Sequence, residues 1–131
     1  MMVLRHDDVK GVNTMNYREI ERLKYTLTNL ARKGCELRIP AYGIKGRVLG
    51  VGFNPYWTNP SDSIINKLEF NIIDKSGQII PVRFNYVIGY NVLHHDAKRF
   101  EDSKNISMDI VMYSREARDK DSGSKVRIEF V

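Results

Sequence analysis

The spacing of apolar residues changes near residue 34, and this change divides the sequence into one helical segment and a series of strands. Between residues 17 and 33 the apolar residues recur at intervals of three and four, which places them on one face of an amphipathic helix. This apolar stripe consists of Ile20, Leu23, Leu27 and Leu30. Asn16 and Glu19 form a capping-box pattern, and Gly34 suits the position just after a helix. We predict a helix over 17–33, preceded by a flexible arm over 1–15.

After Gly34 apolar and polar residues alternate, which is typical of strands with one buried face. The segment 44–53 contains three glycines, and glycine permits the sharp bending that a small barrel needs. The sequence DKSG at 74–77 predicts a tight turn, while 106–114 and 126–130 predict a terminal hairpin. We therefore expect a mainly β fold: a small, strongly bent barrel of about five strands, with an N-terminal α-helix and a C-terminal β-hairpin extension over 106–131.

The alternation also predicts which side chains of the strands face the core. The inward positions should pack against the apolar stripe of the helix, within a single domain over 16–131. The predicted strand core is Leu37, Ile39, Val48, Val51, Leu68, Phe70, Val82 and Phe84.

The positive charge is concentrated in one part of the sequence. The net charge is +5, and residues 17–50 alone contain eight Lys/Arg against three Glu, which accounts for all of it. A concentrated positive field attracts polyanions. The candidate phosphate-binding cations are Arg18, Arg22, Lys24, Arg32, Lys33, Arg38, Lys45 and Arg47. The alternative is that these side chains form a solvated helix face with glutamate partners, which adds only a few tenths of a kcal/mol per pair.

Aromatic residues near these cations are candidate stacking platforms for single-stranded bases. They are Tyr42, Tyr56 and Trp57, the last two in the proline-containing loop 54–63. The alternative role for Trp57 is to close the end of the barrel or to contact another subunit.

Other classes of function have less support in the sequence. No apolar run approaches the roughly 18–20 residues of a membrane span, and the N-terminal residues lack a signal peptide's apolar region. With one cysteine, Cys35, the expected location is cytoplasmic. His94, His95 and Asp96 are adjacent, but neighbouring strand residues point to opposite faces, so no metal site is predicted. Neither a catalytic motif nor a cofactor motif is present, and we predict a protein that is not an enzyme.

Three segments resemble the Sm-like family, which includes the Sm, Lsm and Hfq-type proteins. LARKGCELRI at 30–39 is similar to the end of that family's helix and its first strand. GIKGRVLGV at 43–51 resembles the second strand, and VIGYNV at 87–92 resembles the second Sm motif, with Ile88 where the family has arginine. The resemblance covers about residues 17–93 and implies an Sm-like or SH3-like barrel that binds RNA and assembles into rings through its strand edges.

Two functions remain open at this point. The first is non-enzymatic binding of RNA or single-stranded nucleic acid, with a possible homo-oligomer and no membrane association. The alternative is a protein–protein interaction module with no nucleic-acid role, which Ile88 and the long loop 54–63 favour. The hairpin 106–131 bears on the oligomer, because a hairpin that covers a strand edge would oppose ring assembly.

Overall fold

The computed structural model describes residues 15–55, 65–113 and 124–131. Within these residues the fold consists of one helix, six strands and two single-turn 3₁₀ helices. Their bounds are α1 Tyr17–Arg32, β1 Glu36–Ile39, β2 Ile44–Pro55, β3 Ile65–Ile73, β4 Ile79–His95, β5 Ile106–Met112 and β6 Ser124–Phe130, with 3₁₀ turns at Pro40–Tyr42 and Phe100–Asp102. The expected flexible arm lies outside the described residues except for Met15, which is buried in the core.

Helix α1 begins with the predicted capping box. The Asn16 side chain accepts a hydrogen bond from the Glu19 backbone N–H at 2.8 Å, and Glu19 accepts one from the Asn16 N–H at 3.2 Å. The helix ends at Arg32, one residue before the predicted end, because Lys33 caps it. Gly34 then adopts a φ of +66°, a left-handed conformation that favours glycine.

The six strands form one antiparallel sheet in which each strand pairs with the next and β6 pairs with β1. The closing contact pairs Leu37 with Phe130 and Arg38 with Glu129. The backbone groups of Glu36 and Val131 add two hydrogen bonds of 2.9 and 3.0 Å to this contact. The mainly β prediction is therefore confirmed, with a sheet that closes on itself.

The predicted hairpin is present, but it is part of the closed sheet and not an extension of it. Strand β5 pairs with the second half of β4, and β6 links β5 to β1. The reason lies in the inward faces of the two strands, whose alternate apolar residues are buried in the common core. These residues are Ile106, Met108, Ile110, Val126, Ile128 and Phe130.

Strand β4 changes partner along its length and bends where it does so. It pairs with β3 up to Val87 and with β5 from Val87 onward. Tyr86, just before this point, has a φ of 54°, which is uncommon for a residue other than glycine. The Tyr86 carbonyl accepts a hydrogen bond from the Tyr113 N–H at 2.9 Å, which ties the bend to the end of β5.

The core contains the side chains that the sequence pattern selected. The helix stripe and seven of the eight predicted strand residues are buried, and Val51 is partly buried at the edge of the core. The Phe70 ring contacts both Phe84 and Phe130, with centroids 6.3 and 5.8 Å apart. Phe130 comes from β6, so the last strand completes the aromatic centre of the core.

Candidate nucleic-acid interface

The solvent-facing side of α1 carries two arginines and a tyrosine in one row, which we call the outer row: Arg18, Tyr25 and Arg32. The residues are seven positions apart, nearly two helical turns, so their side chains leave the helix in almost the same direction. Both arginines are exposed and have no ion-pair partner among the described residues, and Tyr25 is 55% exposed. The outer row therefore presents two positive groups with an aromatic ring between them.

A second group of cations surrounds an open depression formed by β1, β2 and the turn between β3 and β4. We call it the cationic depression; Lys45, Arg47 and Lys75 line it together with Glu36 and Asp74. The Arg47 side chain passes close to Gly34, with its Cδ 3.9 Å from where a Cβ would stand on that glycine. The depression therefore adjoins the C-terminal end of α1.

Glu36 limits the positive charge of this depression. Its carboxylate accepts a 2.6 Å hydrogen bond from Nε of Arg38, the residue that faces Lys45 across the β1–β2 pair. This hydrogen bond, assisted by the nearby charges of Lys45 and Lys75, lowers the pKa of Glu36. Since Arg38 is paired with this ionised carboxylate, the unpaired cations available there are Lys45, Arg47 and Lys75.

Three cations of the helix segment are engaged in the protein's own structure. Arg22 forms two hydrogen bonds to Glu101, and Lys24 lies 3.6 Å from Glu21. The Lys33 ammonium donates to two backbone carbonyls of residues 102 and 103, each at 3.3 Å. With Arg38, four of the eight sequence-predicted cations thus have partners. The other four, Arg18, Arg32, Lys45 and Arg47, have no ion pair within the described residues.

The unpaired cations are spread along the helix and do not form one compact patch. Arg18 and Arg32 are fourteen residues apart, which corresponds to about 21 Å along the helix axis. Arg47 and Lys45 follow beyond the C-terminal end of α1. The sequence predicted one concentrated patch of charge, whereas the unpaired cations of the described residues extend along α1 and past its C-terminal end. We call these four residues, Arg18, Arg32, Arg47 and Lys45, the cationic track.

Arg22 lies in a contact network that the sequence did not predict. Its guanidinium is 3.9 Å from the centroid of the Phe100 ring and donates to Glu101 from Nε at 2.6 Å and from Nη2 at 3.1 Å. The Glu101 side chain is only 6% exposed. The hydrogen bond from Arg22 lowers the pKa of Glu101 to about 2 against the opposing effect of burial. Arg22 thereby fastens the 3₁₀ turn Phe100–Asp102 to the helix.

The remaining predicted candidates divide into described and undescribed residues. Tyr42 lies on the 3₁₀ turn after β1 and is exposed, whereas Tyr56 and Trp57 lie outside the described residues. In the described ranges no group of three or more His, Cys, Asp or Glu residues is placed to hold a metal ion. Cys35 is a buried free thiol whose pKa is raised by burial. None of the described helices is long and apolar enough to cross a membrane.

Sequence reasoning missed Tyr25, Lys75 and the Phe100–Glu101 pair. The seven-residue spacing of Arg18, Tyr25 and Arg32 is visible in the sequence and could have identified the outer row. No local pattern marks Glu101, because its partner Arg22 is 79 positions away.

Comparisons of this protein with family models, with curated proteins and with solved structures gave no match. The resemblance to the Sm-like family therefore rests on the three sequence segments that carry it, and the functional argument rests on the geometry of the described residues.

Proposed function

We propose that this protein binds RNA or another single-stranded nucleic acid without catalysing a reaction. The observation that carries the proposal is the outer row, where Arg18 and Arg32 flank the exposed ring of Tyr25 without carboxylate partners among the described residues. Basic side chains interleaved with an exposed aromatic residue match the chemistry of a single strand, which offers phosphates and unstacked bases together.

The proposed roles follow from which groups are unpaired. Arg18 and Arg32 contact phosphates, and Tyr25 offers a face for base stacking between them. Arg47 and Lys45 extend the cationic track beyond the end of the helix. The cations already paired with carboxylates, Arg22, Lys24 and Arg38, contribute little to phosphate binding.

The Sm-like relationship is part of this proposal. The resemblance implies an amphipathic helix that leads directly into short, strongly bent strands. Here α1 does precede the strands, while β2 and β4 are longer than that order implies, with 12 and 17 residues. The sixth strand departs from the expected arrangement of about five, because it closes the sheet within one molecule. We therefore propose an Sm-like nucleic-acid binder that acts without forming a ring through these strand edges.

Charge reversal along the outer row tests the proposal. Arg18→Glu and Arg32→Glu should each weaken binding of a fluorescent single-stranded RNA by about tenfold or more at low salt, since each variant loses a phosphate contact and adds repulsion. Lys125→Glu on β6 is the matched control, because it makes the same charge change at an exposed position away from the helix. Fluorescence anisotropy measures the affinities. Equal losses in all three variants would point to net charge alone and contradict a site on α1.

A protein-interaction module is the second candidate, and a specific observation favours it. Tyr17 is 60% exposed and Tyr25 55% exposed on the same helix, and tyrosine is enriched at protein interfaces. In this case RNA binding would be undetectable even at low salt.

A further inference from the structure

Of the residues that line the depression between the start of α1 and the second half of β4, the proposed function uses only Arg18. Its lining includes Arg18, Arg22, Tyr90, Asn91 and Phe100. The depression is open to solvent and contains a charged planar group stacked on a ring, which is a surface suited to a flat ligand.

The Arg22 guanidinium is held in a fixed orientation. Glu101 accepts from Nε and Nη2, so the two hydrogen bonds fix the plane, and Phe100 covers one face of the group at 3.9 Å. The Arg22 side chain nevertheless remains 48% exposed. With Glu101 on one edge of the group and Phe100 against one face, the face opposite Phe100 is the side on which a flat ligand could stack.

The ring beneath Arg22 is itself held in place. Phe100 makes edge contacts with Tyr90 at 6.3 Å and with His95 at 6.4 Å. The Tyr90 hydroxyl donates to the Glu19 carbonyl at 3.0 Å, which joins β4 to the first turn of α1. The stacked pair of Arg22 and Phe100 thus has little orientational freedom to lose when a ligand binds.

The chemistry of the depression favours a base over a phosphate at Arg22. Glu101 neutralises the arginine, and the start of the helix is already occupied by the capping box of Asn16 and Glu19. What Arg22 offers is a planar face, and arginine planes stack on nucleobases. Asn91 also lines the depression, but its neighbours Tyr90 and Val92 pack toward the core, so the Asn91 side chain points to the opposite face of β4 and is not a base contact.

We propose that this depression is a nucleobase site, in which a base stacks on the face of Arg22 opposite Phe100. The inference rests on the proposed function for its context, because Arg18 lines the same depression and would hold the adjoining phosphate. It adds a defined base position next to the cationic track.

The test uses adenosine, which carries no phosphate and therefore separates stacking from charge. In a ¹⁵N-labelled protein, adenosine at millimolar concentration should shift the Nε–H signal of Arg22 and the backbone N–H signal of Asn91, which lines the depression, whereas ribose should not. Phe100→Leu should abolish these shifts, because the guanidinium loses its backing. Phe53→Leu is the matched control, since Phe53 also lies beneath a helix cation, with Lys24 5.9 Å from its centroid. The adenosine-induced shifts in Phe53→Leu should equal those in the unmodified protein.

A second variant separates loss of the site from loss of the fold. Arg22→Lys keeps a positive charge next to Glu101 but removes the planar face, so it should lose the adenosine shift at Asn91, the readout that this variant retains, while keeping cooperative thermal unfolding. Shifts that are absent in the unmodified protein, or that survive in both Phe100→Leu and Arg22→Lys, would overturn the nucleobase site. RNA binding that depends on Arg18 and Arg32 would in that case leave the proposed function standing. Adenosine shifts without any RNA binding would contradict the proposed function alone.

Discussion

The carboxylate of Glu101 remains ionised although its side chain is almost fully buried. Arg22 supplies two hydrogen bonds, and Nη2 of Arg99 lies 3.5 Å from Oε2 of the same carboxylate. A buried carboxylate without such partners would bind a proton, because burial disfavours the charged form. The Arg22–Glu101 pair therefore stabilises the fold, and its contribution depends on the ionisation of Glu101.

Acid should weaken the protein through Glu101. Its pKa is about 2 in the folded protein, below the ordinary 4.5, so its contribution is complete above about pH 4.5 and is lost as the pH falls toward 2. The shift corresponds to roughly 3 kcal/mol of the free energy of unfolding. Urea unfolding between pH 6 and pH 2, for the unmodified protein and for Glu101→Gln, measures this contribution.

The comparison with Glu101→Gln is needed because other carboxylates also have lowered pKa values. Glu36, Asp74 and Asp96 contribute to acid destabilisation in both proteins, so only the difference between the two profiles belongs to Glu101. The variant should be less stable at pH 6, and the difference should shrink as the pH falls. A constant difference across the range would show that Glu101 does not titrate as described.

Single residues were predictable where their signal was local. The capping box of Asn16 and Glu19 and the left-handed Gly34 follow from the identities of neighbouring residues. The pair of Arg22 and Glu101 depends on the tertiary fold, since the 3₁₀ turn at Phe100–Asp102 lies in a polar segment with no strand or helix periodicity. For this reason the sequence marked Arg22 as a free cation.

Among the strands, β2 passes unusually close to β3 at Gly46. A Cβ built on Gly46 would be 2.6 Å from the carbonyl oxygen of Ile73, and this backbone atom cannot move aside without disturbing β3. Gly52 lies on the same strand, and nothing stands within 4 Å of its would-be Cβ. Gly46 and Gly52, two of the three glycines of β2, therefore have different reasons to be present.

Gly46→Ala should lower the free energy of unfolding by about 1–3 kcal/mol, because the added methyl group forces neighbouring strands apart. Gly52→Ala should leave stability unchanged or raise it slightly, since alanine has less backbone freedom to lose on folding. Chemical denaturation of both variants provides the measurement. Equal effects at the two positions would argue against the close approach of β2 to β3.

Elements were predictable in kind and imprecise at their ends. The alternation of apolar residues identified the strands and their buried faces. The helix predicted over 17–33 ends at Arg32, and the last strand, predicted over 126–130, begins at Ser124. The closure of the sheet by β6 could not be read from periodicity, because alternation shows which face is buried but not which strand is the neighbour.

For the whole molecule, the closed sheet changes the expectation about assembly. Without β5 and β6, the sheet would have two unpaired edges, at β1 and at the second half of β4. In the structure β6 pairs with β1, and β5 pairs with the second half of β4. Pairing of these edges between subunits would require β5 and β6 to leave the core, which they share with α1 and the other strands.

We therefore predict that the protein is a monomer in solution, with a mass near 15.2 kDa. Light scattering coupled to size exclusion measures the mass over a range of concentrations. A stable mass several times larger, as a ring would give, would contradict the role assigned to β5 and β6.

The positive charge of the proposed interface was predictable from the sequence, and the arrangement of its cations was not. The sequence located the eight cations and left glutamate partners open as an alternative, and the partners of Lys24 and Arg38 are glutamates three and two residues away. The partners of Arg22 and Lys33 lie in residues 101–103, and these contacts exist only in the folded chain. What remains is the cationic track along α1 and past its C-terminal end.

The salt dependence of RNA binding tests this track. If Arg18, Arg32, Lys45 and Arg47 each neutralise one phosphate of a single strand, the logarithm of the affinity should fall with the logarithm of salt concentration with a slope of about −3. A titration of fluorescent single-stranded RNA from about 50 to 200 mM salt gives this slope. A slope near zero, or no detectable binding at the lowest salt, would contradict the proposal that the outer face of α1 binds nucleic acid.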